Sequence, residues 1–133
     1  MPKGYSNCAV GLRRPPHVFF YDIDYFKEGK KNVFVYLIPF CSEHLKSFSI
    51  YKTQHGYHVI GTPFTRKIWF SFKRRFKTDF TLKLKKQRSQ VLRISVKWNR
   101  KTGGIISPAP VKVFGNFSIK PYLEQWRFAY YSK

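Results

Sequence analysis

His17-Val18-Phe19-Phe20-Tyr21-Asp22-Ile23-Asp24 is an aromatic and aliphatic run that closes on two carboxylates. The β-branched and aromatic character of residues 18–24 predicts a buried strand, and the Lys, Glu, Gly and Asn of residues 26–32 supply the turn that ends it. On a strand, residues i and i+2 point the same way, about 6.5 to 7 Å apart at the backbone. Asp22 and Asp24 therefore share one face while Ile23 packs behind them. The chain carries 6 Asp and Glu against 26 Lys and Arg, so acid is scarce and its placement is informative. Two neighbouring carboxylates repel each other unless a cation lies between them, which makes the pair a candidate site for hard divalent metal. The alternative is a strand end whose acids answer nearby Lys and Arg.

The 133 residues suffice for one ordinary domain with one core, and 43% hydrophobic content supplies enough to bury. A formal net charge of +20 exceeds what solubility needs. Such a field concentrates polyanions and makes DNA or RNA the expected partner. No apolar stretch approaches the roughly 18 to 20 residues that span a bilayer. The N-terminal Met1-Pro2-Lys3-Gly4-Tyr5 also lacks the apolar region of a signal peptide, so no membrane partner and a cytoplasmic location are expected. Cys8 and Cys41 cannot form a structural zinc site by themselves, which leaves two free thiols or one disulfide.

Working outward, residues 1–16 read as a basic extended lead-in closed by Arg13-Arg14-Pro15-Pro16, and the first core element is expected to begin at His17. Apolar positions 33, 34, 37, 38, 41 and 45 follow a helical period, although 33–38 could also be a strand and Pro39 must interrupt or kink a helix. Residues 47–53 and 57–61 read as a hairpin around Gln54-His55-Gly56, with Gly56 taking a positive φ. Thr62-Pro63 reads as an N-cap and first helical residue, opening a helix over about 63–77 that carries Arg74 and Arg75 among its cations. Residues 80–85 and 91–98 alternate with period two and predict strands with one apolar and one basic face. A further strand is expected over 111–117, and an aromatic helix or edge segment over 122–131.

The segments that could do chemistry are the acidic strand, Gly56-Tyr57-His58, and Leu92-Arg93-Ile94-Ser95-Val96-Lys97, in that order. Together they resemble the catalytic core of the archaeo-eukaryotic primase superfamily: a hydrophobic-Asp-hydrophobic-Asp strand, a Gly-x-His strand, and a later strand bearing Arg or a third acid. The resemblance spans residues 17–98, leaving 99–133 as a C-terminal strand and aromatic segment of the same single domain. It implies an α+β, RRM-like fold, a mixed or antiparallel sheet with helices packed on one face. It also implies Mg2+ or Mn2+ held by Asp22 and Asp24, a His58 that contacts the phosphates of a nucleoside triphosphate, and nucleotidyl transfer in DNA replication. Asp79 is the better of two candidates for a third metal-binding acid, the other being Glu124. The chain carries none of the helical, zinc-binding or helicase segments that commonly accompany such cores, so the resemblance implies either a replication partner protein or a reduced, inactive relative. Reduced stand-alone versions look like products of archaeal viruses or plasmids, which would place the chain in host cytoplasm.

The residues support part of that transfer on their own. A His58 ring on a strand can donate to a phosphate oxygen, and Arg93, Ser95 and Lys97 would share the basic face of a strand. Lys52, Arg74 and Arg75 join them as candidate nucleic-acid contacts. Two other functions compete. A non-catalytic single-stranded DNA or RNA binder would use the aromatic side chains, 20% of the chain, to stack bases. A nicking replication initiator needs two histidines on one strand face, whereas His55 and His58 stand three apart and point to opposite faces. For the same reason His55 is not expected to ligate metal.

Overall fold

The computed structural model describes residues 5–13, 17–24, 33–76, 91–118 and 126–132. These residues form an α+β arrangement of two antiparallel sheets and two helices. The acidic run forms the strand expected of it, β2 (Phe19–Asp24). It is followed by the helix α1 (Val33–His44), the hairpin strands β3 (Ser47–Lys52) and β4 (Gly56–Thr62), and the helix α2 (Arg66–Arg75). With β8 (Val111–Gly115), these strands make a four-stranded sheet in the order β2-β4-β3-β8.

Both helices cover one face of that sheet. Phe19, Tyr21 and Ile23 of β2 alternate onto this face and pack with Ile50, Val59, Leu37 and Cys41. Leu37, Cys41 and Leu45, spaced by four, present one buried stripe from α1 and the residue after it, while Val35 and Tyr36 point outward. Pro39 lies within α1 on its exposed side. The ladder bond it cannot make is therefore on the side where water can serve the carbonyl. Trp69 and Phe72 of α2, with the cap residue Phe76, form the corresponding stripe, the Phe72 ring centred 4.7 Å from Phe19 and 4.8 Å from Phe40. Cys8 and Cys41 are both buried and unbridged.

Several local expectations are corrected. The cap of α2 is Thr65, whose side chain accepts from Ile68 N at 3.1 Å, three residues beyond Thr62; the Thr62-Pro63 bond is cis. Gly56 does not take a positive φ and instead starts β4, paired with Asp24. The glycine that the hairpin does require is Gly61, where a Cβ would strike Ser47 O and the Phe48 backbone. Residues 80–85 lie outside those described.

The basic lead-in is more than a lead-in. Residues 5–13 are β1 (Tyr5–Arg13), in the interior of a five-stranded sheet, so core structure starts well before His17. Along one edge of β1 runs β9 (Trp126–Ser132), the edge alternative for the aromatic tail. Along the other edge follow β5 (Val91–Arg93) and β6 (Lys97–Asn99), and β6 turns back into β7 (Ile105–Ser107). The predicted strand over 91–98 is thus interrupted: between the pairs Gly11–Arg93 and Cys8–Trp98, β1 contributes two residues and its partner four.

Candidate functional site

The face of the four-stranded sheet turned away from the helices carries the alternate residues. Register places Asp22 opposite His58, His58 opposite Tyr51, and Tyr51 opposite Lys112, a single row across all four strands. The adjoining row is Phe20, Ile60, Ser49 and Gly115. Val18, Phe20, Ile60 and Phe117 form a small second core there, with Tyr51 packed beside it. Ser49 Oγ accepts from Phe117 N at 2.7 Å and so pins the chain after β8 over this end of the face. The opposite end holds the row of Asp22.

His58 Nε2 stands 3.5 Å from Asp22 Oδ1, and the His58 ring centre is 5.0 Å from that of Phe20. The imidazole is largely enclosed, 13% exposed, whereas the Asp22 side chain is 37% exposed. This is a carboxylate open to solvent beside a histidine whose ring position is fixed by its neighbours. Asp24 occupies the next position on the same face of β2, its backbone paired with Gly56. The two positions needed for a shared cation are therefore adjacent at the end of one strand. Among the described residues no group of three or more His, Cys, Asp or Glu converges to hold a metal. Asp79, the expected third acid, lies outside the described residues.

The second sheet brings its charge to the same place. Lys97 on β6 is close enough to Asp22 for the carboxylate to favour its ammonium, although burial and then the Arg93 guanidinium push its pKa below the ordinary value. Lys97 thus senses both Arg93 of its own sheet and Asp22 of the other, where Asp22 also meets His58. Arg93 is 8% exposed and holds the interrupted strand together: Nη1 donates to Ser95 O at 2.7 Å and Pro108 O at 3.0 Å, and Nη2 to Ser107 Oγ at 3.4 Å. Ser95 Oγ donates to Val96 O at 2.8 Å. The expectation that Arg93, Ser95 and Lys97 line one strand face is corrected here, since the break at 94–96 ends simple alternation and directs Arg93 inward to backbone carbonyls. Of these three residues, Lys97 is left as the one whose charge the Asp22 carboxylate favours.

Three other expected contacts are not part of this cluster. Lys52 lies opposite Tyr57 on the helix-covered face, with Nζ donating to Thr53 O and standing 5.4 Å from the Tyr57 ring centre. Arg74 and Arg75 project from α2, on the far side of the sheet from Asp22. His55 lies exposed between the hairpin strands, so it does not converge with His58. Tyr51 and Lys112 are the residues that sequence reasoning missed, because their place in the row depends on β8 lying beside β3. Burial raises the Tyr51 pKa, so its hydroxyl stays protonated at neutral pH and can serve as a neutral donor.

Comparison with protein-family models, curated proteins and solved structures finds no match. The site itself must carry the functional argument. No helix among the described residues is long and apolar enough to cross a membrane.

Proposed function

We propose that the chain is a nucleic-acid-binding protein of the primase-like type, with the open face of the four-stranded sheet as a phosphate-handling surface for nucleotidyl transfer. The observation that carries this reading is the Asp22 carboxylate 3.5 Å from His58 on the face away from the helices, with Asp24 the next alternate position on β2 and Lys97 of the other sheet close enough to sense the Asp22 charge. The order β2-β4-β3 with both helices behind it supports an RRM-like core, while β8 stands beside β3 at the edge opposite β2.

The donor set fits a hard divalent ion of the Mg2+ or Mn2+ kind, which takes one or two protein carboxylates and completes its shell with water and substrate phosphates. Asp22 and Asp24 would hold it, and when bound it would neutralise charge on the attacking and leaving oxygens. His58, enclosed against Phe20, would donate a hydrogen bond to a phosphate oxygen. Lys97 has its charge disfavoured by burial and by Arg93, so an approaching phosphate relieves an existing repulsion. Tyr51 and Lys112 extend the row along which a strand or nucleotide would lie.

One observation favours a second reading, a binder of single-stranded DNA or RNA without catalysis. His58 Nε2 faces the Asp22 carboxylate, and that pairing supplies the acid with a protein partner in place of metal. Incorporation of labelled nucleotides on a single-stranded template with Mg2+ or Mn2+ separates the two. Under the catalytic reading the native protein incorporates and Asp22→Asn with Asp24→Asn does not. Absence of incorporation by the native protein, with tight strand binding in both proteins, would overturn catalysis and leave the binder.

A further inference from the structure

The strongest charge in the described structure lies elsewhere. Helix α2, Arg-Lys-Ile-Trp-Phe-Ser-Phe-Lys-Arg-Arg over residues 66–75, holds five cations and no acid in ten residues. At 100° per residue, Arg66, Phe70 and Arg74 make one row spaced by four, flanked by Lys67 and Lys73, and all five are exposed. Phe70, 40% exposed, therefore stands in the middle of a basic stripe. The apolar stripe of the same helix, Trp69 and Phe72, is fully buried in the core.

The helix dipole favours Lys73, Arg74 and Arg75 in the last turn, but it does not explain the rest of this pattern. Arg66 and Lys67 occupy the first turn, where the helix dipole disfavours cations, and no acid in that turn offsets them. No ion pair joins Arg66, Lys67, Arg74 or Arg75 to an acid among the described residues. Arg74 Nη2 donates instead to Ser71 Oγ at 3.3 Å on the exposed surface. A membrane surface would need the apolar face, which the core already occupies. Clustered cations around an exposed aromatic ring suit a single-stranded nucleic acid, whose phosphates meet the cations and whose bases stack on the ring without regard to sequence.

We propose that α2 is a second single-strand-binding surface, so that one molecule holds two segments of nucleic acid, one on the open sheet face and one on the helix layer behind it. A helix is about 10 to 12 Å across with its side chains, so the sheet and helix layers together keep the two segments apart. The inference rests on the reading that the chain binds nucleic acid and is independent of its metal chemistry.

The test uses the full chain and oligothymidylates of about 8 nucleotides, within the span of one binding site. Donor-labelled and acceptor-labelled oligonucleotides should show energy transfer when mixed with the native protein. The variant Arg66→Gln, Lys67→Gln, Lys73→Gln and Arg74→Gln should lose that transfer while still binding one oligonucleotide. Four phosphate contacts at about 0.7 each should make its plot of log affinity against log salt shallower by about 3. Glutamine favours helix, and the charge-keeping variant Arg66→Lys with Arg74→Lys controls for folding by retaining both transfer and slope. An unchanged slope with retained transfer in the glutamine variant would overturn the inference. So would polyglutamate binding that the glutamine variant loses while oligonucleotide binding stays whole, which would assign the surface to an acidic polypeptide. If the native protein binds no oligonucleotide, the underlying reading fails as well; if it binds but incorporates no nucleotide, only the catalytic reading fails.

Discussion

The two faces of the four-stranded sheet come from the same strands yet do different work. On the helix side, Phe19, Tyr21 and Ile23 meet two helices and vanish from solvent. On the other side the alternate positions change along β2 from Phe20, in a small core, to Asp22, whose carboxylate is 37% exposed. Alternation lets one strand build a core with odd-numbered residues while its even-numbered residues remain available for chemistry. Substitutions on the first face should therefore act on stability, and those on the second on binding.

The sharpest break of that contrast is expected at Phe72, which is fully buried and meets rings from β2, from α1 and from Phe76 after α2. Phe72→Ala should cost about 3 to 5 kcal/mol in denaturant unfolding. Gly61→Ala comes next, at about 2 kcal/mol, because the added methyl meets backbone of the neighbouring strand, which cannot yield as a side chain would. Thr65→Ala removes the hydroxyl that accepts from Ile68 N and should cost about 1 kcal/mol. His58→Ala, on the open face, should lower stability by roughly 1 kcal/mol or less while weakening nucleotide and strand binding, the converse of Phe72→Ala.

The smallest effect is one of pH at Lys97. Its folded-state pKa lies below the ordinary 10.5, so the folded protein carries a penalty for its charge that is complete below the lowered value. As pH rises from that value toward 10.5 the unfolded chain holds more protons than the folded one, and stability from this group increases. Lys97→Met should therefore be as stable as the native protein or more so at neutral pH, and the gap in melting temperature should narrow toward pH 10. A gap that widened with pH would mean that Asp22 outweighs burial and Arg93.

How much of this was legible beforehand follows from the range of the forces involved. The acidic strand, α1, the β3–β4 hairpin and the body of α2 are set by local periodicity and turn residues, and they stand where the pattern puts them. The strand β1 was hidden because Cys8, Ala9 and Gly11 are too small to write an amphipathic pattern and Arg13 to Pro16 suggested a solvated arm. The position of the α2 cap was obscured by two threonines around one proline. The break in the predicted strand over 91–98 depends on Arg93 reaching Ser107 and Pro108, contacts that no window of local sequence contains. For the candidate site, strand spacing puts Asp22 and Asp24 on one face and the resemblance of Gly56-Tyr57-His58 singles out His58, and register sets Asp22 opposite His58. Tyr51 and Lys112 needed the pairing of β3 with β8, a relation between residues some sixty apart that only the folded sheet reveals.

The most direct test of the open face as the site of metal-assisted chemistry is a titration of the isotope-labelled protein with Mn2+, followed by amide NMR. Paramagnetic broadening should begin at Asp22, Ile23 and Asp24 and at the facing Gly56 to His58, leave α2 sharp, and disappear in Asp22→Asn with Asp24→Asn. Broadening that is scattered over the surface, or that survives the double substitution, would contradict the assignment of this face to divalent metal.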